Sequence, residues 1–281
     1  VEPLIAEPGD RGYRAIAWEQ ALGRIATDLS GLRERGRAAA ESFFYFSGRS
    51  SNEAAFLLQL LARAYGTNNI NNCSFFCHQA SGVALRSVIG SGTATVTLED
   101  LGGRAGADLI FLIGGNPASN HPRLMRTLID AKRRGARIVV VNPLRELGLL
   151  RFKVPSDVRS MLTPGGSSIA DHYFQPNIGG DAALLAGLAK ALLAMDASRL
   201  GAGVIDRAFV ADHTEGYEAF RGQIEAMAWS DVEASAGVPR AEIERLADIY
   251  AASQKTIFCW TMGITHHAHG VDNVRMIAAV A

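Results

Sequence analysis

Apolar runs along the chain predict the strands of a sheet. Three short runs are dominated by apolar residues and flanked by glycine or polar turns, as is typical of strands buried on both faces of a parallel sheet. These runs are Ala107–Ile113, Arg137–Val141 and Thr256–Trp260. An aromatic run at Glu41–Phe46 and the segment Tyr173–Pro176 predict two further, shorter strands.

Between the runs, apolar residues recur every three or four positions, which is the period of an amphipathic helix. The predicted helices are Ala17–Leu32, Ser51–Tyr65 with Gly66 as its end, His121–Arg134, Ala182–Met195, Asp206–Phe220, Trp229–Ala236 and Ala241–Ala252, with others beginning near Cys77 and Gly270. Strand, glycine turn, helix and strand follow one another over 107–141. This order predicts a βαβ unit with a right-handed crossover and therefore a parallel sheet.

Polar, glycine-rich or proline-rich stretches predict loops at Val1–Tyr13, Thr67–Asn72, Gly90–Gly103 and Arg145–Ser168. The 281 residues are 48% hydrophobic and 20% charged, enough apolar material for one large domain or two ordinary ones. The 28 basic and 28 acidic residues cancel, so charge gives no reason to expect a nucleic-acid partner. The final apolar pattern continues to Ala281, and we therefore expect a piece of a longer polypeptide.

Cysteine use and hydropathy favour a cytoplasmic protein. Three cysteines are too few for a disulfide framework, which makes a reducing compartment the expectation. We also expect no membrane span, because no apolar run is long enough to cross a bilayer.

The segment Asn71–Ser81 contains two of the cysteines and places Cys77 directly beside His78. A neighbouring basic group stabilises the thiolate, which is the reactive and metal-binding form of cysteine. The pair therefore indicates a redox-active or metal-bound thiolate. The residues alone also allow the plainer interpretation of a small buried core cysteine.

Turns rich in glycine and asparagine follow the predicted strands. In a doubly wound sheet, ligands bind beyond the carboxyl ends of the strands. The turns at that edge are Gly114–Pro117, Asn142–Arg145, Gly179–Asp181 and Met262–Thr265. Glycines let a ligand approach the backbone and helix starts suit phosphates, so a nucleotide-like ligand is indicated, with ordinary turn formation as the alternative.

Two other ligand patterns receive little support from the residues. The glycine fingerprint of dinucleotide-binding dehydrogenases, GxGxxG, is missing from these turns. The three neighbouring histidines His266, His267 and His269 match no common zinc spacing.

Taken in order, these motifs resemble the molybdopterin oxidoreductases of the DMSO-reductase superfamily, above all the catalytic alpha subunits of formate dehydrogenases. The resembling segments are 47–53, 66–69, 73–81, 113–117, 121–122, 135–136, 142–143, 179–181, 209–210, 214–216, 262–265 and 270–271, which span essentially the whole chain. The resemblance implies an α/β fold of the formate dehydrogenase/DMSO reductase type. Residues 77–281 would form a Rossmann-like domain, a parallel sheet with helices on both faces that binds molybdopterin guanine dinucleotide. Residues 1–76 would form part of a second, αβα domain completed by missing sequence.

The resemblance also implies a cofactor, a site and a reaction. The cofactor would be bis(molybdopterin guanine dinucleotide) carrying molybdenum or tungsten. Cys77 falls at the family's cysteine or selenocysteine metal ligand, and His78 at a histidine beside the substrate. The implied cofactor-binding residues are Arg49, Gly114, Gly115, Asn116, Asn142, Gly179, Gly180, Asp181, Met262, Gly263, Thr265 and His266. The expected reaction is a two-electron oxidation of a small substrate such as formate, with an electron-transfer subunit as partner.

The chain departs from the formate enzymes in several places. It lacks the N-terminal iron–sulfur cysteines, so such a cluster would belong to the full-length protein and not to this chain. The second formate-contacting arginine is absent, Asn142–Arg145 replaces an Asp-Pro-Arg sequence, and the loop Arg151–Asp171 is longer. We therefore expect the isolated piece to be inactive. Two other classes stay open: a degenerate, cofactor-free α/β binding domain and a nucleotide-binding dehydrogenase domain.

Overall fold

The structure, a computed structural model, describes residues 2–198 and 203–281. The chain falls into two compact units, Val1–Phe76 and Cys77–Ala281. The assignment of the first unit to an αβα domain completed by other sequence stays a prediction, as does the assignment of the second unit to cofactor binding.

The first unit contains a short antiparallel hairpin, helices and one parallel strand pair. Its elements are β1 (Leu4–Ile5), β2 (Arg14–Ala15), α1 (Trp18–Glu34), α2 (Ala38–Glu41), β3 (Phe44–Phe46), α3 (Asn52–Tyr65), β4 (Ile70–Asn72) and α4 (Cys73–Cys77). Strands β3 and β4 pair in parallel, with α3 as the connection between them. The predicted limits of α3 are confirmed: Ser51 Oγ accepts from the Ala54 N–H at 3.2 Å, and Gly66 ends the helix with a φ of 105°.

Helix α3 leaves a row of large apolar side chains exposed. Phe56, Leu57, Leu60 and Leu61 are 63%, 61%, 53% and 51% exposed. An apolar helix face of this size normally packs against another element. That further sequence completes this unit stays a prediction.

The second unit is built around a parallel sheet. Its elements are α5 (Gln79–Ile89), α6 (Leu98–Gly102), β5 (Leu109–Ile113), α7 (Pro117–Asn120), α8 (Pro122–Arg133), β6 (Arg137–Val141), α9 (Leu147–Leu150), β7 (Arg151–Phe152), α10 (Val158–Leu162), β8 (Ser167–Ser168), β9 (His172–Phe174), α11 (Asp181–Ser198), α12 (Arg207–His213), α13 (Tyr217–Ala226), α14 (Trp229–Ala236), α15 (Arg240–Ala251), β10 (Thr256–Trp260), α16 (Met262–Thr265) and α17 (Gly270–Val280). The sheet order is β10-β5-β6-β9, and every neighbouring pair is parallel.

Helices cover both faces of this sheet. Successive strand residues face opposite sides, so Phe111 and Ile110 enter different cores. Phe111 belongs to the buried cluster that contains Leu188 of α11, and Ile110 to the cluster that contains Leu128 of α8. The predicted α/β fold with a parallel sheet and helices on both faces is therefore confirmed.

Several predicted loops contain regular structure, and those predictions were wrong. Strand β1 lies in the predicted N-terminal loop Val1–Tyr13, β4 lies in Thr67–Asn72, and α6 lies in Gly90–Gly103. The stretch Arg145–Ser168 contains α9, β7, α10 and β8. Short elements of this kind depend on pairing and on side-chain hydrogen bonds, which hydrophobic periodicity does not detect.

Hydrogen bonds explain the order within Arg145–Ser168. Asp157 begins α10 by accepting from the Ser160 N–H at 3.1 Å, and it forms ion pairs with Arg133 and Arg126 of α8. The Ser160 hydroxyl is fully buried, accepts from the Val154 N–H at 3.0 Å and donates to a strand carbonyl. Buried polar side chains thus fix the backbone of this segment, beside the buried apolar residues Leu149 and Val154.

The helix predicted over Asp206–Phe220 is two helices. Helix α12 ends at His213 and α13 begins at Tyr217, because Gly216 lies between them with a φ of 76°. A left-handed glycine interrupts the helical hydrogen-bond pattern.

Candidate functional site

The predicted ligand-binding turns lie side by side at the carboxyl edge of the sheet. The Gly114 N–H donates to the Val141 carbonyl at 2.9 Å, and the Asn142 N–H donates to the Phe174 carbonyl at 3.0 Å. The turns after β5, β6 and β9 are therefore neighbours, as the sheet order requires.

The turns after β5 and β10 contact each other through their backbones. The Gly263 N–H donates to the Gly114 carbonyl at 3.0 Å, and the Thr261 hydroxyl donates to the same oxygen. A Cβ placed on Gly263 would lie under 3.0 Å from the Gly114 carbonyl, and one on Gly115 would lie that close to the Thr261 side chain. These glycines are required by the close crossing of the two turns, whether or not a ligand also approaches them.

The two predicted asparagines have local hydrogen-bond partners. Asn116 Oδ1 accepts from the Ala118 N–H at 3.2 Å and begins α7. Asn142 is 8% exposed; its Oδ1 accepts from the Leu144 N–H at 2.9 Å, and its Nδ2 donates to Glu146 at 3.0 Å. Each amide thus shapes its own turn, and a role in binding a cofactor stays a prediction for both.

The Cys77 turn is attached to the end of β10. The Thr265 hydroxyl donates to the Cys77 carbonyl at 2.9 Å, and Trp260 Nε1 donates to the Ser81 hydroxyl at 2.9 Å. Cys77 is partly buried and His78 is exposed. Within the described part of the second unit, neither the thiol nor the imidazole has a hydrogen-bond partner.

Asp181 is a buried carboxylate at the start of α11. It is 8% exposed, and its Oδ2 lies 3.9 Å from His267 Nε2. Burial raises the pKa of Asp181, and the nearby His267 opposes that shift. A helix N-terminus favours negative charge, so position and burial act on this carboxyl in opposite directions.

Asn273 connects this carboxylate with the turn after β10. Its Nδ2 donates to the Ile264 carbonyl at 3.0 Å and contacts His267 Nε2 at 2.9 Å. Asn273 is fully buried, and its Oδ1 has no hydrogen-bond partner among the described residues. Sequence reasoning missed Asn273. An asparagine inside the apolar pattern of α17 was the available signal.

The remaining predicted residues lie apart from these contacts. Gly179 is exposed with a φ of 85° and open space at its Cβ position, whereas Gly180 is buried against α14. Met262 and His266 are exposed beside the crossing turns. Arg49 belongs to the first unit, is exposed, and forms no ion pair with a described residue. The structure brings Cys77, the Gly114 turn, Asn142, Asp181 and the Met262–Thr265 turn into one part of the second unit, and their binding roles stay predictions.

Searches for two other features gave negative results. Across residues 2–198 and 203–281, no group of three or more His, Cys, Asp or Glu side chains is placed to bind a metal ion. Over the same residues, every helix is too short or too polar to cross a membrane.

The whole chain, residues 1–281, matches the model of one protein family, molybdopterin oxidoreductase. The fold is thus that of a molybdopterin oxidoreductase domain. The chain belongs to the molybdopterin oxidoreductase family, which confirms the resemblance found in its motifs.

Three relatives show the breadth of the match. The chain is 44% identical to an uncharacterized oxidoreductase of Mycobacterium tuberculosis, over 99% of the chain and 34% of that protein. It is 40% identical to protein YdeP of Escherichia coli, over 98% of the chain and 36% of that protein. It is 30% identical to formate dehydrogenase H of Escherichia coli, over 99% of the chain and 35% of that protein. The chain therefore spans about a third of the length of the curated relatives it matches.

A solved structure shares the fold. Acetylene hydratase from Pelobacter acetylenicus superposes with a TM-score of 0.65 at 20% identity, covering 97% of this chain and 33% of that one. At this identity the likeness establishes the fold alone.

Proposed function

We propose that the full-length protein is a molybdopterin-dependent oxidoreductase that removes two electrons from a small substrate such as formate, at a molybdenum or tungsten centre ligated by Cys77. The observation that carries the proposal is the state of Cys77: a partly buried thiol without a hydrogen-bond partner in the described unit, in a turn bonded to the carboxyl edge of the sheet. Family membership supplies the class of cofactor.

The residues present fit a bis(molybdopterin guanine dinucleotide) group. Soft thiolates suit molybdenum and tungsten, so Cys77 is the proposed metal ligand. The open backbone at Gly179 and the start of α11 suit a pyrophosphate. In the first unit, Arg49 is exposed and forms no ion pair with a described residue, and it is the proposed cofactor-binding residue there. The other proposed cofactor-binding residues are Gly114, Gly115, Asn116, Asn142, Gly180, Asp181, Met262, Gly263, Thr265 and His266. When bound, the group supplies the two-electron redox chemistry.

His78 has the proposed role of proton acceptor. Oxidation of formate to carbon dioxide releases two electrons and one proton. A neutral imidazole accepts a proton, and the His78 ring is exposed with no hydrogen-bond partner in the described unit. A separate subunit is proposed to take the electrons. The 281-residue piece alone is expected to be inactive, because the relatives are about three times as long.

The test compares two cysteine variants of the full-length protein, Cys77→Ser and Cys73→Ser. Both remove one thiol from α4, and both cysteines are partly buried, which makes the second variant a matched control. The measurements are elemental analysis for molybdenum and tungsten, fluorescence of oxidised pterin, and formate-dependent dye reduction.

We expect the wild type and Cys73→Ser to contain metal and pterin and to oxidise formate. Cys77→Ser should lose formate oxidation. Full activity and full metal content in Cys77→Ser would show that Cys77 is not the ligand. A wild type without pterin or metal would identify a cofactor-free relative. If the wild type contains metal and pterin but does not oxidise formate, the proposed class of enzyme stands and formate is excluded as its substrate.

A further inference from the structure

The backbone carbonyl of Cys77 receives a hydrogen bond from a distant threonine. Helix α4 ends at Cys77, and carbonyls at a helix end have no partner inside the helix. The Thr265 hydroxyl donates to this carbonyl at 2.9 Å across 188 residues of sequence. Thr265 is 9% exposed, so water cannot readily replace the bond.

Thr265 itself is fixed from several directions. The preceding residue, Ile264, is fully buried, and its carbonyl accepts from Asn273 of α17 at 3.0 Å. The Gly263 N–H donates to the Gly114 carbonyl at 3.0 Å. Because its neighbours are hydrogen-bonded to α17 and to the turn after β5, the position of Thr265 is set independently of Cys77.

The other hydrogen bonds to this part of the chain attach α5, beyond Cys77. Trp260 bonds to Ser81 at 2.9 Å, and Arg275 bonds to Ser87 at 3.1 Å. These bonds fix the helix that follows, whereas the Thr265 bond acts on Cys77 itself. Rotation of the peptide after Cys77 would break the Thr265 bond and leave both α5 bonds intact.

We propose that Thr265 is a positioning residue for Cys77: its hydroxyl, bonded to the Cys77 carbonyl, fixes the place from which the thiol reaches its ligand. This inference rests on the proposed function for its significance, because Cys77 matters as the metal ligand. The bond joins two residues of this chain, however, and can be tested by a measurement that does not depend on metal. Thr265 then contributes to the site through Cys77, in addition to its proposed place among the cofactor-binding residues.

The experiment measures thiol accessibility in the full-length protein, made in a host that cannot synthesise pterin. A Cys73→Ala background removes the neighbouring thiol, and mass spectrometry follows iodoacetamide alkylation at Cys77 and at Cys259. Cys259 lies in β10, and burial raises the pKa of its thiol to about 11, so it reacts slowly and reports global opening. The variants are Thr265→Val, Thr265→Ser and, as a control, Ser87→Ala, which removes the hydrogen bond between α5 and α17.

In Thr265→Val, Cys77 should react about fivefold to tenfold faster, the factor that corresponds to one hydrogen bond, with the Cys259 rate unchanged. Thr265→Ser keeps the hydroxyl and should match the wild type, as should Ser87→Ala at Cys77. An unchanged Cys77 rate in Thr265→Val, or equal acceleration at Cys77 and Cys259, overturns the proposal.

If the valine variant does not fold, Thr265→Ala removes the same hydroxyl and leaves a smaller side chain. Faster alkylation of Cys77 in Thr265→Ala, with Cys259 unchanged, supports the proposal, and a wild-type rate overturns it. The alkylation measurements do not need bound metal. A result that overturns the role of Thr265 is therefore distinct from one that overturns the proposed function, which is judged on metal content and activity.

Discussion

The crossing of the turns after β5 and β10 leads to a prediction for Gly263→Ala. The Gly263 N–H donates to the Gly114 carbonyl at 3.0 Å, and an added Cβ would lie under 3.0 Å from that same carbonyl. The obstructing atoms are backbone, so no side chain can rotate to make room. The turns would have to separate, which breaks the hydrogen bond that joins them.

The magnitude follows from two contributions. Overpacking a tightly packed position costs about 1–3 kcal/mol. Loss of one backbone hydrogen bond adds about 1 kcal/mol. The free energy of unfolding should therefore fall by about 2–4 kcal/mol. For a unit of this size each kcal/mol lowers Tm by about 2–4 °C, which predicts a fall of about 4–16 °C.

The assay is thermal unfolding of the pterin-free full-length protein, with Gly222→Ala as the matched control. Gly222 lies in α13, is exposed, and has open space at its Cβ position. Alanine in a helix interior is more stable than glycine by about 0.5–1 kcal/mol, so this variant should raise Tm. If Gly263→Ala leaves Tm unchanged, the crossing does not require the glycine, and its explanation would have to be ligand approach alone.

Two carboxylates should change the pH dependence of stability in opposite directions. Arg133 lowers the pKa of Asp157 to about 2, so the ionised Asp157 stabilises the fold above its unfolded pKa of about 3.9, and this contribution is lost as pH falls toward 2. Asp157→Asn should therefore lower the free energy of unfolding at pH 5, and the variant should lose less stability than wild type between pH 5 and pH 3. Urea unfolding at the two pH values measures both effects. Burial raises the pKa of Asp181, so its contribution is fully present at low pH and is lost as pH rises through its folded pKa. Asp181→Asn should therefore increase stability at pH 7 relative to wild type, and a decrease there would show that the carboxylate is net stabilising.

The main sheet was predictable because its strands are buried on both faces. Burial on both faces demands a continuous apolar run, and β6 and β10 have the predicted limits. Strand β4 could not be found this way, because Asn71 and Asn72 interrupt the apolar pattern. Its conformation comes from pairing with β3, where Phe46 lies opposite Asn72. Pairing between distant segments leaves no local trace in the sequence.

The candidate site was predictable only as a set of separate turns. Cys77 and the glycine turns could be identified as candidates from their residue types and from their positions along the sequence. It does not show that Thr265 bonds to a carbonyl 188 residues away, or that Asn273 bonds to the same turn. These contacts exist because the parallel sheet brings the ends of β5 and β10 together.

The turn after β10 separates residues that are available to a cofactor from residues already engaged within the protein. Gly263 and Thr265 each donate a hydrogen bond to another turn, at Gly114 and at Cys77. Met262 is 40% exposed and His266 is exposed, and no hydrogen bond within the described part of the chain engages either side chain. Gly263 and Thr265 therefore fix the backbone of this turn and its connection to Cys77, whereas Met262 and His266 present their side chains at the surface, and cofactor binding by the turn stays a proposal.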